Sequence, residues 1–458
     1  MESTISYWPL FILLLGTLSV ILFIVVLRLH AFIALILSAI IVGILGGTTT
    51  ESPNLWIAAV ENSMTAFGTT AGSVAFVIAI ASILGIALTE SGAAERIINQ
   101  LIGLFGEQRA AVALMVGSFI LSIPVFFDTV FFLMIPLAIV LAKRTGKNFV
   151  LFVMAISGGS VITHSLVPPT PGPLIMADSL NLNLGFAIVA GILSGFVPAF
   201  FGYNFAQSIN KKIPIAPPEE FLENDTIKSA SELPSFGLSI QPILLPLLLI
   251  IAASISNILH PNSEQIVHKA IGFLGNKNIA MFLGLLVALY LWARHKNLSL
   301  KGLGEQMERP LELAGLIILI TAAGGAFGAM IRSTGIGEMI QAMAANGFAI
   351  NLVVVAWLLA VVMKFAQGSS TVSVITTAGI MAALIPADLS YNPIYIYLAI
   401  GYGAMVGSWM NDSGFWIVGK LSGMTEGQTL RSWTSLLAIL GITGGIQVLL
   451  LSYLFPLI

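Results

Sequence analysis

Apolar stretches of bilayer-crossing or near-crossing length recur along almost the whole chain. They fall at about residues 8–27, 31–47, 71–90, 110–123, 124–142, 149–165 and 184–206, and again at about 238–259, 278–293, 311–331, 347–363, 365–385, 391–410 and 434–457. A helix needs about 20 apolar residues to cross the hydrocarbon core of a bilayer. Seven runs precede a single long polar stretch and seven follow it. Only 9% of the 458 residues are charged and 57% are hydrophobic, whereas a water-facing domain carries about 25% charged residues. Lipid is therefore the solvent of this chain.

Composition also excludes several function classes. The net charge of −2 leaves no basic stripe for nucleic acid. No cysteine is present and the five histidines are widely spaced, so neither a metal site nor a cofactor is expected. The first apolar run lacks a basic flank and a small-residue cleavage site, and reads as a retained helix rather than a signal peptide.

The polar, proline-containing stretch at 207–237 reads as a linker. It divides the chain into a first membrane repeat, 1–206, and a second, 238–458. A shift of 243 residues pairs Gly85 with Gly328, Gly92 with Gly335, Glu95 with Glu338 and Ile97 with Ile340. The same shift sets the basic segment Lys143, Arg144, Lys147 against 386–390, which has no base, and Arg294 to Arg309 against 51–66, which has none either. Short loops rich in Lys and Arg face the cytoplasm, so equivalent loops face opposite sides. Lys269 and Lys277 run against this pattern. The expected fold is an all-α polytopic membrane protein with about 12–14 membrane segments. It has two inverted-topology repeats, discontinuous helices or re-entrant hairpins, and both termini outside.

Ionisable groups inside membrane segments mark function by default. Asp128 lies between Pro124 and Pro136, where a carboxylate suits proton binding and release. It could instead cap a helix break. His164 precedes four prolines in six residues, 168–173, a run that cannot continue a helix and should line a cavity. A hydrogen-bonded structural histidine is the alternative. After Lys364, which reads as snorkelling to the interface, come Gln367, Gly368, Ser369, Ser370 and Thr371. Gly-Ser-Ser-Thr is N-cap chemistry for a fresh half-helix, whose free amides attract anions. Hydroxyls that only bond their own turn are the alternative. Asn411, Asp412, Ser413 and Gly414 break another apolar run, as a solvent turn also would. Under the 243-residue shift, 411–414 falls on 168–171 and 367–371 on 124–128. Matching breaks in both halves point to a midplane site. The candidate substrate-binding residues are Ser160, Thr163, His164, Gln367, Gly368, Ser369, Ser370, Thr371, Asn411 and Ser413, with Asp128 and Asp412 as candidate proton carriers.

In its motifs HAFIAL, ESGAAERI, PVFFD, HSLVPPTPGP, AQGSSTV and NDSGFW, the chain resembles the gluconate permease family of proton-coupled symporters over nearly its whole length. The resemblance implies uptake of gluconate, a related hydroxy or sugar acid, or D-serine together with protons, across a bacterial inner membrane. It is compatible with a homo-oligomer. It places Asp128, His164, Gln367, Ser369, Ser370, Thr371, Asn411 and Asp412 around a central site. Two positions depart from the family pattern, Asp128 for a usual Glu and Thr170 for a second His. An enzyme is not expected. An intramembrane hydrolase using Ser160 or Ser165 with His164 would need a nucleophile elbow that neither serine has. The chain has no phosphate-binding G-x-x-x-x-G-K-[ST] loop to support drive by ATP.

Overall fold

The computed structural model describes residues 7–47, 54–145, 147–218, 232–261, 263–336, 338–339, 351–386, 389–410 and 412–457. All regular structure in these residues is helical. The first half comprises α1 (Trp8–Ile21), α2 (Ala31–Gly46), α3 (Leu55–Glu90), α4 (Ala93–Phe105), α5 (Ala110–Leu121), α6 (Phe127–Thr145), α7 (Phe149–Leu166), α8 (Pro171–Ser179), α9 (Leu184–Ser194) and α10 (Phe196–Lys212). The second comprises α11 (Phe236–Leu259), α12 (Ile266–Leu274), α13 (Lys277–Lys296), α14 (Leu300–Gln306), α15 (Glu308–Arg332), α16 (Leu352–Gln367), α17 (Ser370–Leu384), α18 (Ile394–Gly403), α19 (Ser413–Leu421), α20 (Glu426–Thr429) and α21 (Ser435–Leu454).

Seven stretches of helix are long and apolar enough to cross a membrane, and six shorter apolar helices accompany them among the described residues. The inverted repeat is visible in where helices start and stop. Adding 243 to the first residue of α6 gives the first residue of α17 (127 + 243 = 370). The left-handed glycine before α4, Gly92 at φ 76, maps onto Gly335 at φ 79 (92 + 243 = 335). Ile340 and the beginning of the run at 347 lie outside the described residues, as do linker positions 219–231.

The short helices are short for local reasons. Pro124 lacks an amide hydrogen, and residues 122–126 leave the α-helix between α5 and α6. Gly368, at φ 78, ends α16, since a left-handed residue cannot propagate the turn. At 1.5 Å per residue α5 is about 18 Å long and α8 about 14 Å, well short of a bilayer core of about 30 Å. The apolar run at 124–142 thus begins as helix only at Phe127, and the run at 365–385 holds the last residues of α16 before a new helix starts at Ser370. In the other direction, α3 extends the run at 71–90 back to Leu55, started by Asn54, whose side chain accepts from the Trp56 and Ile57 amides at 3.1 and 3.4 Å. Polar residues such as Glu61, Asn62 and Thr65 dilute the apolar signal there without breaking the helix.

Ties between helix ends show which termini share a rim. Asn210 accepts from the Leu151 amide at 3.0 Å, and Pro218 packs against Gly423. That rim therefore holds Lys143, Arg144, Lys147, Lys211 and Lys212. On the opposite rim, Asn392 bonds the carbonyls of Pro456 and Leu457 at 2.8 and 3.2 Å, which places the base-free loop before α18 there. The positive-inside rule puts the first rim in the cytoplasm. Lys269 and Lys277, the exceptions in the charge pattern, each meet a carboxylate: Lys269 pairs with Glu264, and Lys277 with Asp178 at 3.3 Å.

Nearly every residue of α7, α17 and α18 is buried, as expected of helices that are apolar all round. The remaining helices surround them. Helix α15 lies directly on α17: a Cβ on Gly328 would sit 2.5 Å from the Gly379 Cα. Only glycine allows that approach, and it brings one face of α15 up to the tip of α17.

Candidate functional site

The breaks at 124–128, 367–371 and 411–414 converge on one cavity of about 460 Å³, within the range of about 300–1,000 Å³ typical of small-molecule sites. The prolines at 168–173 do not line it, and α7 reaches it through His164 and Ser165 just before them. Its polar wall comprises Asp128 and Thr129 from α6, His164 and Ser165 from α7, Ser369, Ser370 and Thr371 from the tip of α17, and Asp412 and Ser413 from the tip of α19. Its apolar wall comprises Phe126, Phe127, Trp433, Leu437 and the α15 residues Leu313, Leu316, Ile317 and Ile320.

At the tip of α17, Ser369 is the N-cap and its hydroxyl accepts from the Val372 amide at 3.3 Å. The preceding amides, of Ser370 and Thr371, have no acceptor within the helix, and the positive end of the helix dipole is there. Thr371 Oγ1 lies 3.5 Å from His164 Nε2, which joins this tip to the end of α7. His164 Nδ1 is buried with no hydrogen-bond partner, as is Ser165 Oγ. The last carbonyls of α7 are satisfied from elsewhere. Thr170 donates to Val167 O at 2.7 Å and the Tyr397 hydroxyl to Leu166 O at 2.7 Å. Thr170 therefore serves as a helix terminator here.

The two carboxylates differ sharply. Among the described residues no hydrogen bond or ion pair within contact distance reaches Asp128. Asp412 is fully engaged: Oδ1 accepts from the Gly414 amide at 3.0 Å, and Oδ2 accepts from Ser408 and from Lys364 Nζ at 2.8 Å. Ser408 in turn accepts from the Trp433 indole at 2.7 Å. Lys364 has no exposed side-chain surface, so it does not snorkel. Its ammonium also donates to Gly368 O at 2.6 Å. A lone lysine in an apolar helix needs such a partner. That requirement was the available signal, but the partner lies 48 residues away in sequence.

Three expected binding residues among those described, Ser160, Thr163 and Gly368, do not line the cavity. Ser160 bonds Ser122, tying α7 to the end of α5, and the Thr163 hydroxyl donates to Gly159 O at 3.2 Å. Helical phase explains this. The stripe of α7 that meets the cavity runs from His164 round through Val161 to Ser165. Thr163 falls on the far side of His164, and Ser160, one turn from His164 at the edge of the stripe, is held by Ser122. Neither Ser160 nor Ser165 bonds His164, so no serine nucleophile is paired with it. Gly368 contributes its carbonyl to Lys364. Asn411 and the Gln367 side chain lie outside the described residues. Sequence reasoning also missed Trp433, Ser408 and the α15 wall.

Half-helices from both halves meeting around one cavity with a polar wall are the architecture of a transporter built on inverted repeats. The chain belongs to the GntP permease family, whose model matches residues 8–454. It is 32% identical over 427 residues to a gluconate permease of Pseudomonas aeruginosa, covering 93% of each chain. It is 28% identical over 443 residues to the Gnt-II system L-idonate transporter of Escherichia coli, covering 96% of this chain and 99% of that one. The fold is shared with the YdaH transporter of Alcanivorax borkumensis, at a TM-score of 0.62, 14% identity and coverage of 98% and 99%. The protein is thus a multi-pass membrane transporter and not an enzyme.

Proposed function

We propose that this transporter is a secondary active symporter that takes up gluconate or a related small hydroxy or sugar acid with protons across a bacterial inner membrane. The observation that carries this reading is the placement of an anion-attracting helix tip and an unpaired carboxylate, Asp128, in one cavity. The substrate carboxylate binds the Ser370 and Thr371 amides and the hydroxyls around them. Its hydroxyl groups meet His164, Ser165 and Ser413. Lys364 and Asp412 cancel each other's charge, so the charge of the site is set by Asp128. When Asp128 is ionised it repels the substrate anion, and when it is protonated it does not. Each ligand therefore favours the other, which is the thermodynamic content of symport. Asp412, held by an ammonium, a hydroxyl and an amide, is the poorer carrier.

Uptake of labelled gluconate into proteoliposomes tests this directly. Accumulation is expected when the outside is acid, with collapse on addition of a protonophore. Accumulation that ignores the pH gradient would remove proton coupling. No saturable uptake of any sugar acid would remove the substrate class.

A further inference from the structure

Among the described residues, Lys364 is the only Lys or Arg that is fully buried, and it lies between oxygens of two helix breaks. Its ammonium has two oxygen partners, the Gly368 carbonyl at 2.6 Å and Asp412 Oδ2 at 2.8 Å. The carbonyl belongs to the unwound link between α16 and α17, at the negative end of the α16 dipole. The carboxylate belongs to the unwound stretch before α19, and the Ser408 hydroxyl bonds the same carboxylate oxygen. Backbone carbonyls freed at helix breaks and half-helix C-terminal ends hold the coupling cation in transporters of this architecture. Here a tethered ammonium lies between two such breaks. The site is built once: the equivalent positions in the first half, 121 and 169 after subtracting 243 from 364 and 412, are Leu121 and Pro169.

We propose that the Lys364 ammonium permanently fills an alkali-cation site, standing in for a bound Na⁺ or Li⁺ that would otherwise join the two breaks of the second half. This deepens the symport reading and rests on it for its consequence. A cation that is covalently part of the chain cannot dissociate, so Na⁺ does not enter between these two breaks, and the travelling ion binds elsewhere in the cavity. Cutting the side chain back to a methyl group frees the oxygens and the space. Lys364→Ala should then accept a small alkali cation that the native protein ignores.

The test is thermal unfolding of the purified full chain in detergent, in choline, sodium, lithium or potassium chloride at equal ionic strength. The native protein is expected to unfold at the same temperature in all four, within about 1 °C. Lys364→Ala should unfold at lower temperature in choline and recover at least about 2 °C in sodium or lithium, since a ligand that binds only the folded state raises its stability. Lys364→Met, which refills the space with an uncharged chain, should stay low in every salt. If Lys364→Ala gains nothing from any alkali cation, or cannot be purified in any of these salts, the lysine is an ordinary ion-pair partner and the proposal fails. It fails equally if the native protein is stabilised by sodium, or if Lys364→Met recovers as the alanine variant does. No substrate enters this measurement, so an error in the assigned sugar acid or proton would show in the uptake assay and not here.

Discussion

The two halves place the same backbone device at the cavity and give it opposite chemistry. In the second half the tip of α17 presents Ser369, Ser370 and Thr371, backed by the buried Lys364–Asp412 pair. In the first half the equivalent tip of α6 presents Phe126, Phe127 and Asp128, with Leu121 and Pro169 where the ion pair would be. Phe127 packs on Trp433 with ring centroids 5.1 Å apart, so the first tip is anchored by apolar contact and the second by charge. The symmetry is thus one of chain path, kept by prolines, glycines and caps. The chemistry laid over it is divided: one tip suits an anion, and the other carries Asp128, a carboxylate with no hydrogen-bond partner among the described residues.

The largest effect should come from the anchor that exists on one side only. Lys364→Met leaves Asp412 almost buried without its counter-charge, which costs about 3–5 kcal/mol. Leu121→Met at the equivalent place keeps its volume and should cost less than about 1.5 kcal/mol. Thermal unfolding of both variants in detergent makes the comparison, and equal losses would show that the two tips are held alike.

A smaller effect is expected at the anion-binding tip. A hydrogen bond to a charged group is worth about 1.5–3 kcal/mol, so Ser370→Ala should raise the half-saturation constant for uptake about tenfold or more with expression unchanged. Unaltered constants in Ser369→Ala, Ser370→Ala and Thr371→Ala alike would move the substrate away from α17. The smallest effects should be those of Ser160→Ala and Thr163→Val, whose hydroxyls bond within the protein away from the cavity. Their half-saturation constants should stay within about threefold, a difference of about 0.6 kcal/mol. Losses as large as that of Ser370→Ala would place α7 in the binding wall by a face other than the one it presents here.

Much of this is legible in the sequence. The spanning runs, the four breaks at 124–128, 168–171, 367–371 and 411–414, and the half-helix started by Ser369 all follow from backbone chemistry that is local in sequence. Gly368 stops a helix and Ser369 starts one whatever surrounds them. What stayed hidden depends on distant partners or on helical phase. Lys364 looked like a snorkelling side chain because Asp412, on a different helix tip, is what keeps it inside. Ser160 looked like a ligand because it stands one turn from His164, and its turn away from the cavity toward Ser122 is set by how α7 packs on α5. The α15 wall carries only Leu and Ile, residues that read as lipid-facing until the glycine contact between Gly328 and Gly379 brings that helix against α17.

The division of labour between the tips comes down to Asp128, and one pair of assays on Asp128→Asn tests it. The amide copies the protonated carboxyl in shape and charge but cannot release a proton. In proteoliposomes the variant should fail to accumulate labelled gluconate under an inward proton gradient, yet still exchange internal for external substrate in counterflow, with an affinity that no longer falls as pH rises. Asp412→Asn, measured alongside, reports on the rival carboxylate. If Asp128→Asn still concentrates substrate against its gradient while Asp412→Asn does not, the proton travels on the second half and the division drawn here is wrong.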